Sequence, residues 1–235
     1  MQTYFKTGSD WAVQPRIDAC ARLDQRRLLL SFSSNGQPDD LIDAPAGAVT
    51  GADILLFTAT EFGKRIGGGW TFHFDGSDVG LSGTRGNIDA LAIEPDGSLL
   101  ISVQGSIQLE GVGSVDDADV LRFRPTSLGS DTQGTWERVF GPEYSRFTSS
   151  GEDIDALSIS SINNDWVSFI FSSTGRFSVD GVAADDEDVL GYIWYPDFEE
   201  APTVGSVFLE YDGIDQLFFD IRRADITALE SVGDW

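Results

Sequence analysis

An all-β chain built from a repeated unit is what the sequence predicts, on three observations. One pattern runs through it three times and begins a fourth: an aromatic strand, Ile-Asp-Ala, a hydrophobic strand, then an acidic turn feeding Asp-(Val/Ile)-Leu. Within the pattern, apolar residues alternate at the two-residue period of a strand. Trp70, Phe72 and Phe74 share one face while Thr71 and His73 share the other. Glycine and β-branched residues interrupt every stretch that could carry a helical period. Four short strands per unit, joined by turns, fit a β-propeller-like array of four-stranded units of about 65–70 residues, three full and one partial. A stack of antiparallel sheets or a sandwich is the competing geometry.

The units fall near 3–69, 70–135, 136–206 and 207–235, and together they read as one repeat domain. The first is divergent, with Ile17-Asp-Ala, Arg27-Leu-Leu-Leu-Ser-Phe and Asp53-Ile-Leu-Leu-Phe in register. The second is the best copy: Trp70-Thr-Phe-His-Phe, Ile88-Asp-Ala-Leu, Ser98-Leu-Leu-Ile-Ser-Val and Asp119-Val-Leu-Arg-Phe. Its run Leu99-Leu-Ile-Ser-Val is apolar on both faces, as a central strand is. The third runs Trp136-Glu-Arg-Val-Phe, Ile154-Asp-Ala-Leu, Trp166-Val-Ser-Phe-Ile-Phe and Asp188-Val-Leu-Gly-Tyr. The fourth is short: Val207-Phe-Leu-Glu-Tyr, then Asp225-Ile-Thr-Ala-Leu, with Thr227 where the others carry the Ile-Asp-Ala aspartate. Turn signals such as Pro95-Asp-Gly-Ser and Asn163-Asn-Asp separate the strands. An N-terminal aromatic strand near Phe5 could complete the last unit; otherwise that unit stays open, or a second chain finishes it by strand addition.

A net charge of −24 argues against nucleic acid and anionic lipid as partners. No apolar run approaches the roughly 20 residues of a membrane span. The segment from Met1 to Lys6 lacks the charged-then-apolar layout of a secretory signal. Cys20 is the sole cysteine, which excludes an intramolecular disulfide, and its apolar repeat position suits a structural thiol.

Two acidic positions recur in every full unit. Asp18, Asp89 and Asp155 are the aspartates of Ile-Asp-Ala; Asp53, Asp119 and Asp188 open the later strand. Behind the latter stand the turns Asp116-Asp117-Ala-Asp119 and Asp185-Asp186-Glu-Asp188. Such crowded carboxylates need a counter-charge or good hydration. Ca2+ is the ion whose six to eight oxygen ligands would suit them, so Asp18, Asp89, Asp155, Asp116, Asp117, Asp119, Asp185, Asp186 and Asp188 are candidate metal ligands. The structural reading is that a repeated aspartate accepts backbone N–H groups of a tight turn.

Catalytic patterns are sparse. His73 is the only histidine, with Val139 and Glu210 at its repeat positions, and no Gly-x-Ser-x-Gly elbow accompanies it. One histidine and one cysteine do not make a transition-metal cluster. Gly67-Gly-Gly-Trp lacks the Lys-Ser/Thr of a phosphate cradle. What remains is a pair of carboxylates acting as acid and base. Trp70 and Trp136 are repeat-equivalent and belong to the core. Trp11, Trp194 and Tyr195 break the pattern and are candidate platforms for a carbohydrate ligand.

The run Phe74-Asp-Gly-Ser-Asp-Val-Gly-Leu, with Asp153-Ile-Asp-Ala-Leu, Asp185-Asp-Glu-Asp-Val-Leu and Arg122-Phe-Arg-Pro-Thr-Ser-Leu-Gly, resembles repeats of acidic, exported or surface proteins of bacteria. The likeness covers most of residues 70–212. It implies an extracellular or cell-surface location and a propeller-like array, and it carries over no catalytic residue. A fainter likeness to hemopexin-type blades, which start near an Asp-Ala and can hold a central cation, is one of fold. The expected function is a non-catalytic binding or structural module, stabilised by Ca2+ and recognising carbohydrate or protein. A polysaccharide hydrolase or lyase, and an assembly subunit forming a homo-oligomer through its incomplete blade, are the alternatives.

Overall fold

The computed structural model describes residues 16–33, 35–36, 38, 40–45, 49–61, 67–141, 152–162, 167–179, 182–186, 188–194 and 206–211; residues 161, 162, 167, 177–179, 194 and 206–211 are described by backbone alone. The fold is all-β, and the described residues form three antiparallel four-stranded sheets. The first holds β1 (Ile17–Arg22), β2 (Arg27–Phe32), β3 (Ile54–Glu61) and β4 (Gly67–Phe74) in that order. The second begins with β5 (Ile88–Ile93) and β6 (Leu99–Val103), then makes a side hairpin of β7 (Ile107–Leu109) and β8 (Gly113–Val115). It resumes with β9 (Val120–Ser127) and β10 (Gln133–Phe140), giving the order β5-β6-β9-β10. The third repeats this plan with β11 (Ile154–Ile162), β12 (Val167–Ser173), the hairpin β13 (Phe177–Val179) and β14 (Val182–Ala184), then β15 (Val189–Trp194) and β16 (Ser206–Tyr211). The only described helical segments are two three-residue 3-10 turns, and none is long and apolar enough to cross a membrane.

Sheet and sequence unit are out of phase by one strand. The aromatic strand that opens each unit closes the previous sheet: Trp70 lies in β4, Trp136 in β10, and Val207-Phe-Leu-Glu-Tyr in β16. The side hairpins have a signal in hindsight, a glycine turn between short apolar strands at Leu109-Glu-Gly-Val-Gly113. Gly111 and Gly113 there take φ of 82° and 96°, a left-handed backbone that glycine adopts without steric cost.

Packing repeats as well. Phe57 meets Trp70 at 4.8 Å between ring centroids and 53°; Phe123 meets Trp136 at 4.7 Å and 51°. Such tilted pairs contribute about 0.5–1.5 kcal/mol each beyond burial. In both sheets a glycine, Gly68 or Gly134, lies under the phenylalanine ring, where a Cβ would collide with the ring and with a neighbouring carbonyl. Leu99 and Ile101 of β6 enter the core shared with the first sheet, whereas Leu100 enters the core shared with the third. All five residues of β6 are buried, as its two-sided apolar run predicts. A third cluster, including Leu30, Leu55, Phe57, Trp70 and Phe72, lies on the other face of the first sheet, with half-buried Cys20 packed against it.

The joints between sheets are equivalent. Ile88 N–H, at the start of β5, donates to Gly51 O of the previous sheet's turn at 2.8 Å; Ile154 N–H, at the start of β11, donates to Asp117 O at 2.9 Å. Strands β5 and β11 therefore enter at matched places. β5 packs against both β1 and β11, and those two also approach each other.

Candidate functional site

The first strands carry the Ile-Asp-Ala motif, and in all three the aspartate falls at a break in register. Pairing jumps from Ile17 to Ala19, from Ile88 to Ala90 and from Ile154 to Ala156. A bulge of this kind re-aims a side chain out of the ladder. Just beyond it the backbone closes alike in each sheet: Ser33 N–H to Arg16 O, Gln104 N–H to Asn87 O and Thr174 N–H to Asp153 O, at 2.9–3.0 Å. Asp18, Asp89 and Asp155 thus occupy equivalent places where three sheets converge.

Their surroundings differ through the residue two positions earlier: Arg16, Asn87 or Asp153. Arg16 acts on Asp18 and partly offsets the burial that raises its carboxyl above the usual range. Asn87 is neutral, and its side chain packs against Gly51 of the preceding sheet, where a Cβ would strike it. Asp153 adds a second carboxylate beside Asp89. Burial, then the Asp153 carboxylate, then that of Asp18, push Asp89 well above the usual carboxylate range. Asp89 is 6% exposed, and its Oδ1 is buried without a hydrogen-bond donor; Oδ2 of Asp18 is in the same condition. Asp155 instead accepts a 2.9 Å hydrogen bond from Ser172 Oγ. Sequence reasoning missed Asp153 as a site residue, although it stands two residues from a repeated aspartate where the other units have Arg and Asn.

The second set of aspartates has a different role. Asp53 Oδ2 accepts Thr50 N–H at 2.8 Å, Asp119 Oδ2 accepts Asp116 N–H at 3.0 Å and Asp188 Oδ2 accepts Asp185 N–H at 2.8 Å. Each returns its own N–H to the carbonyl three residues back. This is the turn-fixing geometry expected for Ile-Asp-Ala, found instead at the Asp-(Val/Ile)-Leu positions. The rest of the acidic turns is also engaged. Asp116 Oδ1 accepts Ala118 N–H, and Arg138 Nε lies 3.3 Å from Asp119 Oδ2. The Arg176 guanidinium donates to Asp185 and holds its carboxyl below the usual range. Asp117 is half-buried and raised by burial and by Asp116; Asp186 is half-buried on the matching turn. Among the described residues, no three His, Cys, Asp or Glu side chains are placed as a ready-made metal-binding group.

Trp11 and Tyr195 lie outside the described residues. Trp194 ends β15, its backbone paired with Val167, and its side chain is likewise outside them. His73 is half-buried on β4, and burial lowers its pKa from the ordinary imidazole value. Another buried charge pair went unforeseen: Arg122 donates two hydrogen bonds to Glu94, at 2.6 and 2.7 Å, with both side chains under 5% exposed. Burial still raises Glu94, so desolvation outweighs the guanidinium there.

No protein-family model, curated protein or solved structure matches this chain.

Proposed function

We infer that the protein is a non-catalytic, β-propeller-like binding module working outside the cell or at its surface, with the acidic confluence of β1, β5 and β11 as its binding centre. One observation carries this reading. The three sheets re-aim the same aspartate through the same bulge, yet leave Asp89 and Asp18 with buried oxygens that no donor serves. A purely structural aspartate in this fold looks like Asp53 or Asp188, satisfied by its own turn. A buried carboxylate oxygen without a donor calls for an explanation, and a bound ligand is one that fits two such oxygens on neighbouring strands. The partner is a carbohydrate or a protein whose basic or cation-bridged face complements the acidic centre.

The test is a binding screen against immobilised glycans and basic proteins, run with the wild-type chain and with Asp18→Asn and Asp89→Asn together. Binding by the wild type that the double variant loses at least tenfold supports the reading; equal binding by both removes the confluence from it.

A second reading is favoured by one pair. Asp89, raised by burial and by the carboxylate of Asp153, is placed as a general acid beside a second carboxylate. A polysaccharide hydrolase or lyase would use it so. Release of new sugar ends from polysaccharides, abolished in Asp89→Asn, would decide for the enzyme.

A further inference from the structure

The charges acting on Asp89 are Asp153 and Asp18, both negative, and beyond its own backbone N–H the group it meets is the Asp153 carboxyl, a contact two acids make only by sharing a proton. Its own carboxylate is 6% exposed with Oδ1 unserved by any donor, and Oδ2 of Asp18 is buried and unserved as well. An ionised carboxylate away from water is costly unless a cation or donors meet it. On the neighbouring first strands the demand is partly met: Arg16 offsets the burial of Asp18, whose Oδ2 still has no donor, and Ser172 Oγ donates to Asp155. The demand is greatest at Asp89, on β5.

We propose that Asp89 is the central ligand of a site for one hard divalent cation, Ca2+ by preference, which draws in the carboxylates of Asp18 and Asp153 as flanking ligands, since the three are not gathered around one point beforehand. Every donor there is oxygen, which selects Ca2+, Mg2+ or Mn2+ over zinc and copper. Carboxylates from three separate sheets give an irregular, adjustable set. Ca2+ tolerates that and completes its six to eight ligands with water and backbone carbonyls, whereas Mg2+ demands a near-ideal octahedron. Because the ligands come from β1, β5 and the residue preceding β11, one ion would tie all three sheets. The proposal rests on reading the confluence as a binding site, and it needs no carbohydrate or protein partner for its test.

That test is calorimetric titration of the metal-stripped chain with CaCl2 and with MgCl2 at pH 7 and constant ionic strength, with melting followed in parallel. The wild type should bind one Ca2+ and melt about 5 °C or more higher in millimolar Ca2+. Mg2+ should bind at least tenfold more weakly. Asp89→Asn should fold, melt no lower than the wild type without cation, and lose Ca2+ affinity at least tenfold; Asp18→Asn should lose less. Glu110→Gln, on the exposed turn of the β7–β8 hairpin, should bind as the wild type does. Absence of both heat and melting shift in the wild type would overturn the proposal and leave a shared proton as what neutralises the pair. Unchanged Ca2+ affinity in Asp89→Asn would overturn it too. Loss of glycan or protein binding with the Ca2+ response intact would instead sink only the function inferred above.

Discussion

Two sets of aspartates repeat in step along this chain, and they use the same functional group in opposite ways. Asp53, Asp119 and Asp188 each fold their carboxylate back onto the turn that precedes them. Asp53 goes further and takes Gly76 N–H at 3.0 Å, tying its turn to the end of β4. Asp18, Asp89 and Asp155 sit instead at the register break that opens the first strand of each sheet. In sequence the sets look alike, each an aspartate beside β-branched and small apolar residues. What separates them is where the nearest free N–H groups lie. A turn three residues upstream supplies donors locally, whereas at the bulge Asp89 finds only its own backbone N–H and otherwise meets neighbours distant in sequence.

The largest effect that would break this contrast is on the turn-clamp side. Asp119 is 1% exposed and serves Asp116 N–H while lying near Arg138. Asp119→Ala should cost about 3 kcal/mol, since it strands charged and backbone donors in a buried place. At this chain length that corresponds to a melting temperature lower by roughly 6–12 °C. The confluence side predicts the reverse. Asp89→Asn keeps the shape and removes a buried charge, so at pH 7 and with chelator present it should hold or gain stability, by up to about 2 kcal/mol. Denaturant unfolding of both variants is the check. Equal losses would mean that both sets are structural.

Much of the fold was legible because strand alternation and repetition are local signals. The aromatic run from Trp70, the two-sided run from Leu99 and the Ile-Asp-Ala repeats all became strands in equivalent positions. Sheet phase was not legible. Whether Trp70 opens one sheet or closes another depends on pairing with β3, a contact that no residue in β4 announces. The candidate site was legible by half. Repetition singled out Asp18, Asp89 and Asp155, but not that Asp153 would join Asp89, because that meeting is made by two sheets packing together. Nor could sequence assign the turn-fixing role to the right set, since that hinges on which N–H groups are already in a ladder.

Acidity sharpens the contrast with a smaller effect. Protons bind Asp89 more tightly in the folded chain than in the unfolded one, so its contribution to stability is fully present below the ordinary carboxylate value. It is lost as pH rises through the raised value. Asp53, Glu94 and Asp117, also raised chiefly by burial, act with the same sign. His73 acts oppositely: lowered by burial, it takes stability away as pH falls below its unfolded value of about 6.5. In chelator, melting temperature should therefore climb on acidification from pH 8 to pH 5. The climb should be visibly shallower in Asp89→Asn, and parallel curves would deny Asp89 its special burial.

The finest distinction concerns the three buried serines that sit at matched places on β2, β6 and β12. Ser31 Oγ donates to Gly51 O and Ser102 Oγ to Asp119 O, both at 2.8 Å, but Ser172 Oγ donates to the Asp155 carboxylate. In the third sheet the matched serine thus reaches the confluence aspartate of its own sheet. Ser102→Ala removes a neutral hydrogen bond and should cost about 1 kcal/mol at any pH. Ser172→Ala removes a donor to a charged group, so it should cost about 1.5–3 kcal/mol at pH 7. Denaturant unfolding of the two variants at pH 7 is the check. Equal costs in Ser172→Ala and Ser102→Ala would mean that Asp155 does not depend on this donor as an anion, leaving the confluence with two reserved carboxylates from the repeat instead of three.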